Sequence, residues 1–261
     1  MQFVSLEEAK QASGLRLTFV ANAPSPWGEA IKGMLKTKDI PFTATLYMPG
    51  DPAANKGLVE WTGEDSAPSA MYEDEAPRSG WAEILLLLER LQPEPSLIPA
   101  DPEQRALMFG LSYEICGEMG LGWSARLMMC DAAIDPNMDY PVPAEMGHYL
   151  GAKYGYRPGI GPEATKRVTD ILGLLSARLK AEQAKGNRFL MGEHVTALDF
   201  YWATFCALMK PLPPEHCNIM EVLRAALEFP NPAIEQALDP ALIDHRDFMY
   251  NEYLGLPMVL S

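Results

Sequence analysis

Apolar positions along the chain follow two periods, and the change from one to the other divides the sequence. Near the N-terminus the pattern alternates in short runs. Arg16–Val20 (RLTFV) and Phe42–Met48 (FTATLYM) carry the β-branched and aromatic residues of strands. The stretch between them, about Trp27 to Lys38, is helical in pattern. A strand–helix–strand run needs a crossover, which predicts two parallel strands. Ala70–Glu73 follows Pro68 as a third short strand, and residues 49–57, rich in Pro, Ala and Gly, read as loop. Ser5 and Glu8 have the spacing of a capping box, which predicts a leading helix over 5–13.

From Ser79 onward the period is helical. Trp81, Ile84, Leu85, Leu88 and Leu91 fall on one face of a helix over 79–92. Apolar positions 107, 111, 115, 119, 123 and 127 form a row every four residues, which predicts one long helix from Glu103 to Cys130. Thr165–Lys180 places Val168, Ile171, Leu172, Leu175 and Leu179 on one face. Ala197–Met209 is apolar almost all round, the pattern of a helix buried in the centre of a bundle. Pro240–Leu254 predicts a last helix. Between the two regimes, Gln92–Pro102 holds four prolines in eleven residues and reads as a linker. The expected organisation is an extension over 1–15, a small α/β domain over 16–92, a linker over 93–102 and an all-helical domain over 103–261.

Charge narrows the function. The 261 residues hold 35 acidic and 21 basic side chains, a net −14, which repels phosphate backbones and anionic membranes. The longest aliphatic run, Ile84–Leu88, is far too short to span a bilayer. Cys116, Cys130, Cys206 and Cys217 form no Cys-x-x-Cys pair, so zinc and disulfide frameworks find no support and a reducing cytoplasm is the expected location. The segment MQFVSLEEAKQASG lacks the basic-then-apolar order of a signal peptide. His148, His194, His216 and His245 are scattered without ligand spacing, and no metal is expected.

Four segments have the makings of chemistry. Ser25-Pro26-Trp27-Gly28-Glu29 follows a strand and opens a helix; Ser25 reads either as a simple cap or as a hydroxyl facing a ligand at the positive helix end. Ala67-Pro68 precedes a strand, where a cis bond would turn the preceding backbone outward. Arg78-Ser79 opens the next helix, with Ser79 as a cap beside a solvated arginine or as part of a carboxylate site. Thr196 and Asp199 have capping-box spacing and read as structural. No Gly-x-Ser-x-Gly elbow is present, which argues against a hydrolase triad.

The order and spacing of these segments resemble the cytosolic glutathione transferase superfamily, serine type, over residues 16–210. The resemblance implies α/β plus all-α architecture: a thioredoxin-like N-terminal domain followed by an α-helical C-terminal domain. Ser25 matches the catalytic position of serine- and cysteine-type members. Ala67-Pro68 looks like the family's X-cis-Pro, whose preceding backbone holds the cysteinyl part of glutathione. Ser79 matches the serine that binds the γ-glutamyl carboxylate, and Leu97–Pro102 is similar to the interdomain linker. Two features depart from the family. Arg78 stands where an acid usually pairs with the glutathione amino group, and residues 49–66 offer no match for the contacts to the glycyl end.

The implied activity is glutathione transfer, or a related lyase or isomerase reaction. Glutathione would be co-substrate, a small hydrophobic electrophile would be the second substrate, and the chain would form a homodimer. The electrophile pocket would lie between the domains, lined by Trp27, Tyr113, Cys116 and Trp123. Gly117, Gly120 and Gly122 are unusual inside a helix and point to close packing, a kink or room for substrate. The departures support an alternative, a non-catalytic binding or scaffold protein on the same fold.

Overall fold

The computed structural model describes residues 2–260. A short helix α1 (Leu6–Gln11) opens with Ser5 and Glu8 bonded reciprocally, the Ser5 N–H to the Glu8 carboxylate at 2.9 Å and the Glu8 N–H to the Ser5 hydroxyl at 3.3 Å. Strand β1 (Leu15–Val20), helix α2 (Pro26–Thr37) and strand β2 (Phe42–Tyr47) then form a βαβ unit, with β1 parallel to β2 and Leu15 opposite Phe42.

The loop expected over 49–57 is instead the start of helix α3 (Pro52–Thr62). Asp51 caps it by accepting the Ala54 N–H at 2.9 Å, Pro52 takes the first turn, and Gly63 ends it in the left-handed region at φ 77°. Asn55, Leu58 and Thr62 are its buried residues, which is why the apolar signal is faint. Strand β3 (Ser69–Tyr72) runs antiparallel to β1 with Thr18 opposite Ser69, giving the sheet order β2-β1-β3. Helix α4 (Trp81–Leu91) begins at a Gly80 cap, not at Ser79.

Beyond the proline-rich stretch every element is helical. The long helix expected over 103–130 is broken into α5 (Pro102–Cys116) and α6 (Leu121–Ile134). Gly117 and Gly120 flank the break, Met119 adopts φ 57°, and the Gly120 N–H closes the turn on the Gly117 carbonyl at 3.0 Å. Only Gly122, of the three glycines, sits inside a helix. There follow α7 (Ala144–Tyr154), α8 (Gly161–Gln183) and the wholly buried α9 (Ala197–Phe205), which continues as a 3₁₀ turn over Cys206–Leu208. Helices α10 (Glu221–Leu227), α11 (Pro232–Ala237) and α12 (Pro240–Met249) complete the chain, and α12 widens into a π-helical turn at Tyr250–Leu254.

One core runs through both regions. Leu17 and Phe19 of β1, Met34 of α2, Leu88 of α4, Leu172 of α8 and Phe200 of α9 belong to the same buried cluster. Helix α2 packs on the sheet and on α9, so the residues at its N-terminus are fixed from both sides. Among the described residues no helix is long and apolar enough to cross a membrane.

Candidate functional site

Strand pairing brings three sequence segments to one sheet edge. Because Thr18 of β1 lies opposite Ser69 of β3, the chain leaving β1 toward Ser25 and the chain entering β3 from Ser66 emerge on the same side. The Ala67–Pro68 peptide bond there is cis. The Ser69 N–H donates to the Thr18 hydroxyl at 2.8 Å and locks the two strands together. Arg78 forms a bridge to Ala70, exchanging backbone hydrogen bonds of 2.8 and 2.9 Å, which places Ser79 and the N-terminus of α4 at this edge too. The N-termini of α2 and α4 thus converge on the cis-proline turn, and their dipoles favour an anionic ligand there.

Ser25 occupies the N-cap position of α2: its carbonyl accepts the Glu29 N–H at 2.8 Å. Its hydroxyl does not cap the helix and has no hydrogen-bond partner among the described residues. The Ser79 hydroxyl is engaged: it donates to Glu64 Oε1 at 2.9 Å and caps nothing. Arg78 turns away to pair with Glu75, which also binds Arg90, and the two guanidinium hydrogen bonds hold the Glu75 carboxyl below the usual carboxylate range. Glu64 is a functional residue the sequence pattern does not single out; it lies just beyond α3, whose residues 52–57 fall in the stretch expected as loop.

The expected pocket residues separate. Trp27, at the start of α2, reaches across to the α5–α6 break. Its indole N–H donates to the Cys116 carbonyl at 3.1 Å and its ring meets Phe205 edge-on at 4.6 Å. Gly122 leaves the space for this contact, since a Cβ there would lie 2.4 Å from Phe205 and 3.1 Å from the Trp27 ring. Tyr113 lies across Gly117 with about half its surface exposed, at 51 %. Cys116 is buried, and burial pushes its thiol well above the usual range. Trp123 faces the other way: its indole N–H donates to the Tyr154 carbonyl at 2.9 Å and its ring packs on Tyr154, so it anchors α7.

Thr196 and Asp199 lie in the buried start of α9. The Asp199 carboxylate accepts the Thr196 N–H at 2.8 Å, the Thr196 hydroxyl at 2.9 Å and the Leu190 N–H at 2.9 Å.

No family model matches the chain, and no curated protein is similar to it in sequence. Solved structures are similar over nearly its whole length. The glutathione transferase Omega 3C from Trametes versicolor superposes with a TM-score of 0.60 at 13 % identity, covering 98 % of this chain and 93 % of its own. A glutathione S-transferase domain-containing protein from Marinobacter aquaeolei VT8 gives 0.62 at 14 % identity, with 91 % and 98 % covered. A glutathione S-transferase from Methylobacterium radiotolerans, in complex with glutathione sulfonate, gives 0.55 at 16 % identity, with 88 % and 93 % covered. The chain has the glutathione transferase fold: a thioredoxin-like N-terminal domain followed by an α-helical C-terminal domain.

Proposed function

We propose that this protein is a serine-type glutathione transferase in which Ser25 stabilises the glutathione thiolate for attack on a small hydrophobic electrophile. The observation that carries the reading is the Ser25 hydroxyl, uncommitted within the chain, at the N-terminus of α2. A free thiol with a pKa near 8.5 is only a few per cent thiolate at neutral pH, and the thiolate is the nucleophile. Lowering that pKa by about two units takes about 2.7 kcal/mol of preference for the anion. One hydrogen bond to a charged group supplies about 1.5–3 kcal/mol. The helix terminus adds about 0.3–1 kcal/mol. Serine and helix together suffice without a general base. Serine is not itself the nucleophile, and without a cysteine here the site does not favour thiol–disulfide exchange.

In this reading the backbone before Pro68 holds the cysteinyl part and Ser79 receives the γ-glutamyl carboxylate. Tyr113 and Trp27 border the electrophile at the α5–α6 break. The protein works as a cytoplasmic homodimer. Calorimetric titration with reduced glutathione tests the reading: saturable binding in the micromolar to low-millimolar range supports it, and no heat together with an unshifted melting temperature at high glutathione overturns it.

One observation favours a second reading, a non-catalytic binding protein on the same fold. Glu64 already holds the Ser79 hydroxyl and sets a negative charge beside the place for a ligand carboxylate. Under this reading Glu64→Gln does not create glutathione binding either, and a protein partner is the ligand to seek.

A further inference from the structure

A cavity of about 640 Å³ lies between α6, α8 and the α10–α11 segment. Every residue lining it comes after Pro102, and none of Ser25, Trp27, Ser79, Tyr113 or Cys116 is among them. It is therefore a different place from the cis-proline edge. Its size falls within the about 300–1,000 Å³ of small-molecule sites.

The walls are soft and aromatic. Met128 and Met129 of α6, Met138 and Tyr140 of the α6–α7 connection, Met209 and Phe229 all line the cavity. Methionine is unbranched and polarisable, so four of them adapt to a ligand of irregular shape. Tyr140 and Phe229 meet edge-on with ring centroids 4.9 Å apart, and the Tyr140 hydroxyl is anchored on the Ala226 carbonyl at 3.2 Å. Aromatic faces carry the negative part of the ring quadrupole and attract cations.

The charged lining residues have one prevailing sign. Asp131, Glu228 and Glu235 are acidic, and Lys166 alone is basic. Lys166 is paired with Asp170 at 2.6 Å. Glu228 pairs with Arg224 at 3.0 Å, and Asp131 accepts the Tyr156 hydroxyl at 3.1 Å. Glu235 has no ion-pair partner among the described residues. Arg126 rests on the Met129 sulfur at 3.5 Å without lining the cavity.

An organic anion would thus meet three carboxylates and no uncommitted lining cation. A small hydrated cation would gain nothing from the methionines. A cation with apolar bulk uses both features: it buries hydrocarbon against the methionines and holds its charge near the rings and Glu235. The chain's net charge of −14 draws such an ion in from a distance.

We propose that this cavity binds an apolar organic cation, at a site separate from the Ser25 edge. The proposal stands independently of the glutathione reading.

The test is calorimetric titration of the full-length protein, in potassium-free buffer, with tetraphenylphosphonium and tetraphenylborate, two ions of one shape and opposite charge. The phosphonium should bind at least about tenfold more tightly than the borate. Glu235→Gln should weaken the phosphonium about threefold or more without weakening the borate. Ala233→Trp fills space at a lining position and should weaken the phosphonium at least about tenfold. Both positions are exposed, so neither variant disturbs the core. A wild type that does not bind the phosphonium, or binds the borate equally or more tightly, would overturn the proposal. So would phosphonium affinity unchanged in Glu235→Gln, or unchanged in Ala233→Trp, since the ion would then sit elsewhere.

Discussion

His245 of α12 reaches the capping carboxylate of α9: its Nε2 lies 2.8 Å from Asp199 Oδ1, with both side chains sealed from solvent. Burial raises the Asp199 carboxyl to about 6 against its hydrogen bonds, and burial lowers His245 to about 4. At neutral pH the pair is therefore a carboxylate and a neutral imidazole that donates through Nε2, while Nδ1 has no partner among the described residues. The last long helix of the chain is thus fastened to the helix at the centre of the bundle. Trp202 adds a second fastening, its indole N–H donating to the Leu242 carbonyl at 3.0 Å.

The pair has opposing pH signatures. Asp199 titrates higher folded than unfolded, so its contribution falls as pH rises from its ordinary 3.8 to about 6. His245 titrates lower folded than unfolded, so its contribution rises between about 4 and its ordinary 6.5. In the wild type the two slopes largely cancel. His245→Gln should expose the Asp199 slope, losing up to about 3 kcal/mol relative to wild type between pH 4 and 6. Urea unfolding across that range checks this; a profile parallel to the wild type contradicts it.

Ser25→Ala separates a structural serine from a ligand-facing one. A hydroxyl that caps a helix is worth about 1 kcal/mol. Since the Ser25 hydroxyl caps nothing, the variant should unfold within about 0.5 kcal/mol of wild type. Bound glutathione should meanwhile show a thiol pKa higher by about one to two units, the loss of one hydrogen bond to the anion. Ultraviolet titration of the thiolate in the complex measures the second effect.

Lys38 should be among the most sensitive positions in the chain. Its side chain is fully buried, donates to the Gln92 and Pro95 carbonyls at 2.7 Å each, and pairs with Glu89 at 2.8 Å. Lys38→Met removes one partner of a buried pair and strands two carbonyls, a loss of about 3–5 kcal/mol. The urea midpoint should fall accordingly.

Gly122→Ala should destabilise by about 1–3 kcal/mol, because the added methyl meets Phe205 and the Trp27 ring inside contact distance. Trp27 fluorescence should shift along with the melting temperature. An unchanged spectrum would show that the ring does not depend on that gap.

The sheet, α2 and the buried α9 were legible because each carries its signal locally: alternation, a Ser-Pro helix start, an apolar run too long for a strand. Helix α3 was hidden because it is held by the Asp51 cap and few apolar contacts. The α5–α6 break was hidden because the four-residue apolar row continues in step across the turn at 117–120. Glu64 and Lys153 reach Ser79 and Ser66 across 15 and 87 positions, and His245 reaches Asp199 across 46, so no local pattern announces them. A helical row gives a face but not what that face meets, so it does not announce the contact of Trp123 with Tyr154.

The break between α5 and α6 has one more consequence. The Gly120 N–H turns back to the Gly117 carbonyl, so the Cys116 carbonyl is left to the indole of Trp27, two residues from Ser25. An interrupted helix thereby becomes a socket for the neighbouring domain. Rocking α2 against the helical layer would unplug that indole, so the break ties the start of α2 to the helical domain. The turn at 117–120 can be regarded as an adjusting screw: variation there would shift the start of α2, where Ser25 sits, without touching it.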